Sequence, residues 1–176
     1  TLLRLIAGLL PADRGSGEIV IHGRALQREG RILPEARAIR ARVGFVFQQF
    51  NLVGRLPVLT NFLIGRLADL PLWRTLSRTF SLADRRAAMA ALARVGLADF
   101  AARRTGTLSG GQQQRTAIAR ALCQQADIIL ADEPIASLDP ESSALVMDLL
   151  TDIARREGAT LLVSLHQIDV AVRACD

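Results

Sequence analysis

"TLSGGQQQRTAIARALCQQADIILADEP", residues 107–134, joins a glycine turn, a helix and a buried strand within one short stretch. Ser109 caps the helix that runs through "QQQRTAIARALC". Gly110 and Gly111 let backbone N–H groups approach an anion, and the helix N-terminus adds a favourable dipole. The apolar run "ADIILA" then reads as a strand, and it ends in Asp132 and Glu133. A buried strand ending in two adjacent carboxylates can divide the work between them: the first reaches a Mg2+ ion, and the second accepts a proton from an attacking water. A lone acidic pair at a strand end is ordinarily a polar terminus or a cap. Here its company is a phosphate-binding surface.

Working outward, "DPESSALVMDLLTDIARREG" is predicted to be a helix capped by Asp139, started by Pro140 and stopped by Gly158, with Leu145, Val146, Leu149, Leu150 and Ile153 facing the core. "ATLLVSL" is the next strand. Strand, helix, strand over this length implies a right-handed parallel crossover, so both strands belong to one sheet and ligands gather beyond their carboxyl ends. His166 ends that second strand, where its imidazole could reach a terminal phosphate or the water. Upstream, "RVGFVF" is another buried strand ending at Gln48, whose amide could touch the metal or the attacking water.

"TLLRLIAGLL" (1–10) is spaced as a helix with Leu2, Leu3, Leu5, Ile6, Leu9 and Leu10 on its buried face, stopped by Pro11. "SGEIVIHG" holds a short strand, Glu18–Ile21, ahead of a hairpin turn at His22. "PEARAIRA" is helix-like. From Asn51 to Thr107 no convincing strand is visible; the clearest element is "SLADRRAAMAALARVGL", with Ser81 as cap and Asp84 three residues on. Residues 51–107 are therefore expected to form an inserted helical lobe within one domain, 1–176.

At 176 residues the chain can bury a substantial core. No apolar run is long enough to span a bilayer and no leader pattern is visible, which points to a soluble, cytosolic chain. Cys123 and Cys175 lack metal-ligand spacing and read as ordinary thiols. The net charge of +5 suggests nucleic acid at first sight. All 22 basic residues are arginines, however, scattered along the chain and usually near Asp or Glu, so no basic tract stands out.

Taken in order, Gln48, "LSGGQ", "ILADEP", "SLD" and His166 resemble the Q-loop, signature, Walker B, D-loop and switch histidine of ABC transporter ATP-binding subunits. The resemblance implies an α/β fold: a P-loop NTPase-like parallel sheet core with an inserted helical subdomain, truncated at both ends. It implies ATP and Mg2+ as cofactors. Glu133 would be the general base, Asp132 the metal-side carboxylate together with Gln48, and His166 the γ-phosphate sensor. Thr1, Gln48, Ser109, Gly110, Gly111, Gln112 and Asp139 would bind nucleotide, the signature residues closing over ATP held by a second subunit. Thr1 resembles the last member of a "GKST" phosphate loop, so the chain reads as a fragment expected neither to bind nor to hydrolyse ATP by itself.

The resemblance further implies a homodimer of ATPase subunits, an integral membrane permease, a solute-binding protein acting indirectly, no nucleic acid, and a peripheral place on the cytoplasmic face of the inner membrane. "GRLADLPLWRTLSRTFSLADRRAAMAALARVGLADFA", "DEPIASLDP" and "SLHQIDVA" are similar to the phosphonate-importer branch. The permease is expected to dock between Arg55 and Thr79, around Arg66, Trp73 and Arg74. Importers of another anion or of polar amino acids are the alternative. A non-transport ATPase acting on DNA would need a long coiled coil between the Q-loop and the signature. Residues 49–107 are too few for it, and no sustained heptads appear.

Overall fold

The computed structural model describes residues 2–68 and 80–174. Thr1, Trp73, Arg74 and Cys175 lie outside the described residues. The elements in chain order are α1 (Leu2–Ile6), β1 (Glu18–Ile21), β2 (Arg24–Arg28), β3 (Arg31–Ile32), α2 (Ala36–Arg40), β4 (Val43–Val46), α3 (Val58–Ile64), α4 (Leu82–Arg94), α5 (Gly110–Cys123), β5 (Ile128–Asp132), α6 (Pro140–Glu157), β6 (Thr160–Ser164) and α7 (Ile168–Ala174). Short 3-10 turns at Gly65–Ala68, Ala98–Phe100 and Thr105–Thr107 complete the connections.

β4, β5 and β6 form a parallel sheet in that order, and β1, β2 and β3 form a separate antiparallel one. In the parallel sheet Val46 pairs with Ala131 and Ala131 with Val163, so the three strands end at one edge. The crossover through α6 follows from its sequence. Asp139 accepts the Ser142 amide, Pro140 occupies the first turn, and Gly158 ends the helix in the left-handed conformation at φ +64°.

The buried stripe of α6 is Ser143, Val146, Met147, Leu150 and Ile153. This corrects the predicted face: Leu145 points outward, 49% exposed, Leu149 is only half-buried, and Met147 joins the core. Val146, Leu150 and Ile153 pack with Val46, Ile118, Ala121, Ile129 and Ala131 between the sheet and α5. Each of the larger aliphatics fully buried there contributes about 1.5–3 kcal/mol. Gly44 lets α5 approach β4: a Cβ there would meet Ala121 Cβ at 3.2 Å.

The opening helix also departs from expectation. It ends at Ile6, and Gly8 turns the chain at φ +64° well before Pro11. Leu2, Leu9 and Leu10 are exposed, and Leu3 is the residue of the helix that reaches the core. Between β4 and α5 the described elements are helical, apart from one isolated antiparallel bridge between Pro57 and Arg104. Val58, Phe62, Leu63, Ala88, Leu92, Val95 and Leu97 form a cluster there with Leu108 and Ala119. Ser81 and Asp84 form a reciprocal capping box at the start of α4. Arg66, expected on a docking face, pairs with Asp84 at 3.4 Å, with its side chain about one-third exposed. No helix of the described residues is long and apolar enough to cross a membrane.

Candidate functional site

The carboxyl edge of the parallel sheet brings together residues from two adjacent strands. β5 ends at Asp132 and is followed by Glu133; β6 ends at Ser164, with His166 two residues on. Asp132 and Ser164 are register partners, which puts the serine hydroxyl beside the acidic pair. Ser164 Oγ donates to Asp132 Oδ1 at 3.1 Å and accepts the Glu133 amide at 3.0 Å. One hydroxyl thereby fixes both the side chain of the first carboxylate and the backbone of the second.

Glu133 adopts φ +49°, in the left-handed region that costs a non-glycine residue about 1–3 kcal/mol. Strain of this kind persists where surrounding bonds over-determine it, and here the Ser164 hydroxyl holds the amide. The Glu133 side chain is 28% exposed, and its Oε1 lies 2.7 Å from His166 Nε2. With the glutamate ionised the proton of that bond sits on Nε2, because a carboxylate can only accept. Oε2 is left available to a water. The imidazole is 82% exposed, so it can meet a ligand from solvent while it steadies the carboxylate.

Asp132 is only 15% exposed, and its Oδ2 lies 3.4 Å from Arg4 Nε. Arg4 in turn lines a groove of about 530 Å³ with Leu9, Leu10, Phe47, Gln48, Gln49 and Asn51. Gln48 is exposed on the turn just beyond β4, so the groove runs from the predicted Q-loop amide to the partner of the predicted metal carboxylate. Among the described residues no cluster of three or more His, Cys, Asp or Glu could hold a metal by itself. Mg2+ takes one or two protein carboxylates and completes its shell with water and substrate phosphate oxygens, so Asp132 can serve it once its Oδ2 is released from Arg4.

The predicted signature is built as a reciprocal cap on α5. Ser109 Oγ accepts the Gln112 amide at 3.3 Å, and Gln112 Oε1 accepts the Ser109 amide at 3.0 Å. Ser109 itself is exposed. Gly111 has no room for a side chain, since a Cβ would lie 2.8 Å from Ser142 Oγ at the start of α6. The same α6 terminus carries Asp139, whose carboxyl is held below its usual range chiefly by the hydrogen bond from Ser142. The residues predicted as signature and D-loop are thus packed against each other at neighbouring helix N-termini. Glu133, His166 and Asp132 form one constellation, while Ser109–Gln112 with Asp139 form a second.

Sequence reasoning missed Ser164 and Arg4. The serine was accessible from the parallel pairing, which sets it opposite Asp132. Arg4 offered no such signal, because its partner is brought near only by the packing of α1 on the sheet.

A family model described as ABC transporter matches residues 1–136. This chain belongs to the ABC transporter family. It is 60% identical over 175 residues to a phosphonates import ATP-binding protein of Cupriavidus pinatubonensis, covering 99% of this chain and 62% of that protein. It is 56% identical over 177 residues to the phosphonates import ATP-binding protein of Escherichia coli O157:H7, covering all of this chain and 68% of that one. The chain therefore spans about 62% of the length of the first of these curated relatives.

Among solved structures it is similar to a dimeric bacterial ABC transporter cassette, with a TM-score of 0.77 and 34% identity over 98% of this chain and 72% of that one. It is also similar to cbiO1 of Clostridium perfringens, part of an ABC transporter complex, at a TM-score of 0.77 and 27% identity over 99% of this chain and 65% of that one. The α/β cassette fold expected from the sequence is the fold of these neighbours.

Proposed function

We propose that the chain is part of the ATP-hydrolysing subunit of an ABC importer for phosphonates. The contact that carries the chemical reading is Glu133 Oε1 to His166 Nε2 at 2.7 Å, next to a nearly buried Asp132. In this reading a water attacks the terminal phosphoryl group of ATP, its proton passes to Glu133, and ADP leaves with its bond electrons. His166 orients Glu133 and reaches the terminal phosphate. Asp132 and Gln48 would hold Mg2+, which neutralises charge on the phosphates when bound. Ser164 supports both carboxylates through its two hydrogen bonds.

Ser109, Gly110, Gly111 and Gln112 present a helix N-terminus to the phosphates of a nucleotide held by a second subunit, and Asp139 lies at that dimer interface. The assignment of Thr1 to the phosphate loop rests on the sequence resemblance. Residues 51–107 form the inserted lobe that receives the membrane permease, with the solute-binding protein acting through that permease. The lobe's base is closed by Thr105 N donating to Leu56 O and Gly106 N to Gly54 O, at 3.0 and 2.9 Å. The subunit sits peripherally on the cytoplasmic face of the membrane.

The phosphonate assignment draws on the relatives, since this subunit does not itself touch the solute. Its test is complementation. The whole subunit carrying this chain, expressed in a bacterium lacking its own phosphonate-import ATPase, should restore growth on a phosphonate as the sole phosphorus source. A Glu133→Gln copy should not. Restored uptake of another anion or of polar amino acids, with no phosphonate growth, would overturn the substrate and leave the ATPase reading standing.

A further inference from the structure

The turn that follows Gln48 is made of residues that do not favour it. Phe50 and Asn51 sit at φ +56° and +49°, two consecutive non-glycine residues in the left-handed region. Asparagine tolerates that conformation; phenylalanine does not. What holds the turn reaches it from α5. Arg120 Nη1 donates to Asn51 O at 2.7 Å, and Nη2 reaches Phe50 O at 3.5 Å.

Arg120 has no carboxylate partner among the described residues. Burial lowers its pKa below the ordinary arginine value, although a guanidinium stays charged. A desolvated cation whose side-chain bonds go to two carbonyls of one turn is committed to that turn. Gly65, just past α3, is bare where α5 passes, and a Cβ there would collide with the Arg120 carbonyl oxygen. Asn51, Ile64, Gly65, Ala121 and Gln124 surround a cavity of about 290 Å³ beside the guanidinium.

α5 also grips β4 elsewhere. Gln124 Nε2 donates to the carbonyls of Arg40, Ala41 and Val43 at 2.9, 3.0 and 3.2 Å, bracing the strand's entry. At the helix's other end a Cβ on Gly110 would lie 3.8 Å from Phe50 Cζ, so the Phe50 ring reaches the start of the signature helix. One helix therefore fixes where β4 begins, where its following turn lies, and where Ser109 stands.

We propose that Arg120 is a positioning residue for Gln48, its guanidinium clamping the Phe50 and Asn51 carbonyls so that the left-handed turn presents the Gln48 amide to the nucleotide. The inference rests on the nucleotide-site role assigned to Gln48 above. It predicts that Arg120 acts on turnover through Gln48 and not through stability alone.

The experiment is a double-mutant cycle in the whole subunit carrying this chain, reading kcat and KM for ATP, with Arg120→Met and Gln48→Ala. Arg120→Met should lower kcat by about tenfold or more, as expected when a catalytic group is misplaced. The double variant should be no slower than Gln48→Ala alone. Arg120→Lys, which keeps the charge and a donor within reach of the turn, should recover part of kcat and replaces Arg120→Met in the cycle if the methionine variant does not fold. Hydrogen exchange should accelerate at the Phe50 and Asn51 amides while the interior of α5 stays protected.

Losses in kcat that multiply in the double variant, or unchanged exchange at the turn, would overturn the clamp. A Gln48→Ala enzyme with full turnover and unchanged KM would instead show that the nucleotide-site role of Gln48 is wrong. The two failures are distinguishable.

Discussion

Ser164→Ala is the substitution on which the site geometry speaks most directly. The change removes one oxygen and with it two hydrogen bonds, to Asp132 Oδ1 and from the Glu133 amide. A bond donated to an ionised carboxylate is worth about 1.5–3 kcal/mol net, and one accepted from a backbone amide about 0.5–1.5 kcal/mol. Asp132 is 15% exposed, so water replaces the lost donor only in part. The sum is a loss of about 2–4.5 kcal/mol, which for a domain of this size lowers Tm by roughly 4–18 °C. Freed of its anchor, Glu133 should also relax from φ +49°, and turnover should fall more than nucleotide affinity. Ser164→Thr keeps the hydroxyl and should lose much less. Calorimetry on the three versions checks the stability, and steady-state ATPase measurement on the whole subunit carrying each of them checks the rate. An alanine variant that melts within about 2 °C of wild type at full turnover would refute the claim that Ser164 holds the acidic pair.

Two further outcomes follow from the neighbouring helix ends. Gly111→Ala puts a Cβ 2.8 Å from Ser142 Oγ and 3.0 Å from Ser142 Cβ. The crowding costs about 1–3 kcal/mol against at most about 1 kcal/mol gained in helix propensity. Urea unfolding should therefore show a net loss, relieved when Ser142→Gly removes both atoms. Asp139 is depressed by its bond from Ser142, so its folded pKa lies below the unfolded one. The stability it contributes is fully present above the unfolded value of about 4 and is lost as pH falls through the folded value. Asp139→Asn keeps the cap without that titration, and its urea midpoint should fall less steeply than that of wild type in acid.

The elements legible in the sequence are those whose signals are local. α6 announced itself by Asp139, Pro140 and Gly158, and each took the predicted place. The parallel strands were visible as short apolar runs, and β5 carries Asp132 at its end as expected. What failed depended on the fold as a whole. Leu145 and Met147 both suit a helix face, and only the direction from which α5 and the sheet approach decides between them. β2 was hidden because Leu26 and Gln27 are buried side by side, which breaks strand alternation. Gln27 can be buried because its amide accepts from Ala12 N and donates to Leu5 O, partners more than a dozen residues away. The opening helix was read too long because Leu9 and Leu10 fit its period, whereas Gly8 had already turned the chain. In the site, Glu133 and His166 were legible as strand-end residues, but their 2.7 Å contact depends on β5 and β6 being adjacent and in register. Arg4 beside Asp132 is a tertiary fact of the same kind.

The central claim is that Glu133, steadied by His166, takes the proton of the attacking water. It is tested most directly by ATP turnover and ATP binding measured side by side in the whole subunit carrying Glu133→Gln. The amide keeps the size of the carboxylate and can accept a bond from His166, but it cannot serve as a base. Turnover should fall by about 10² or more with ATP affinity retained, and the unhydrolysed nucleotide should accumulate in a stable dimer on size-exclusion chromatography with Mg2+. Wild-type turnover in that variant, or loss of ATP binding in parallel with the rate, would contradict the account.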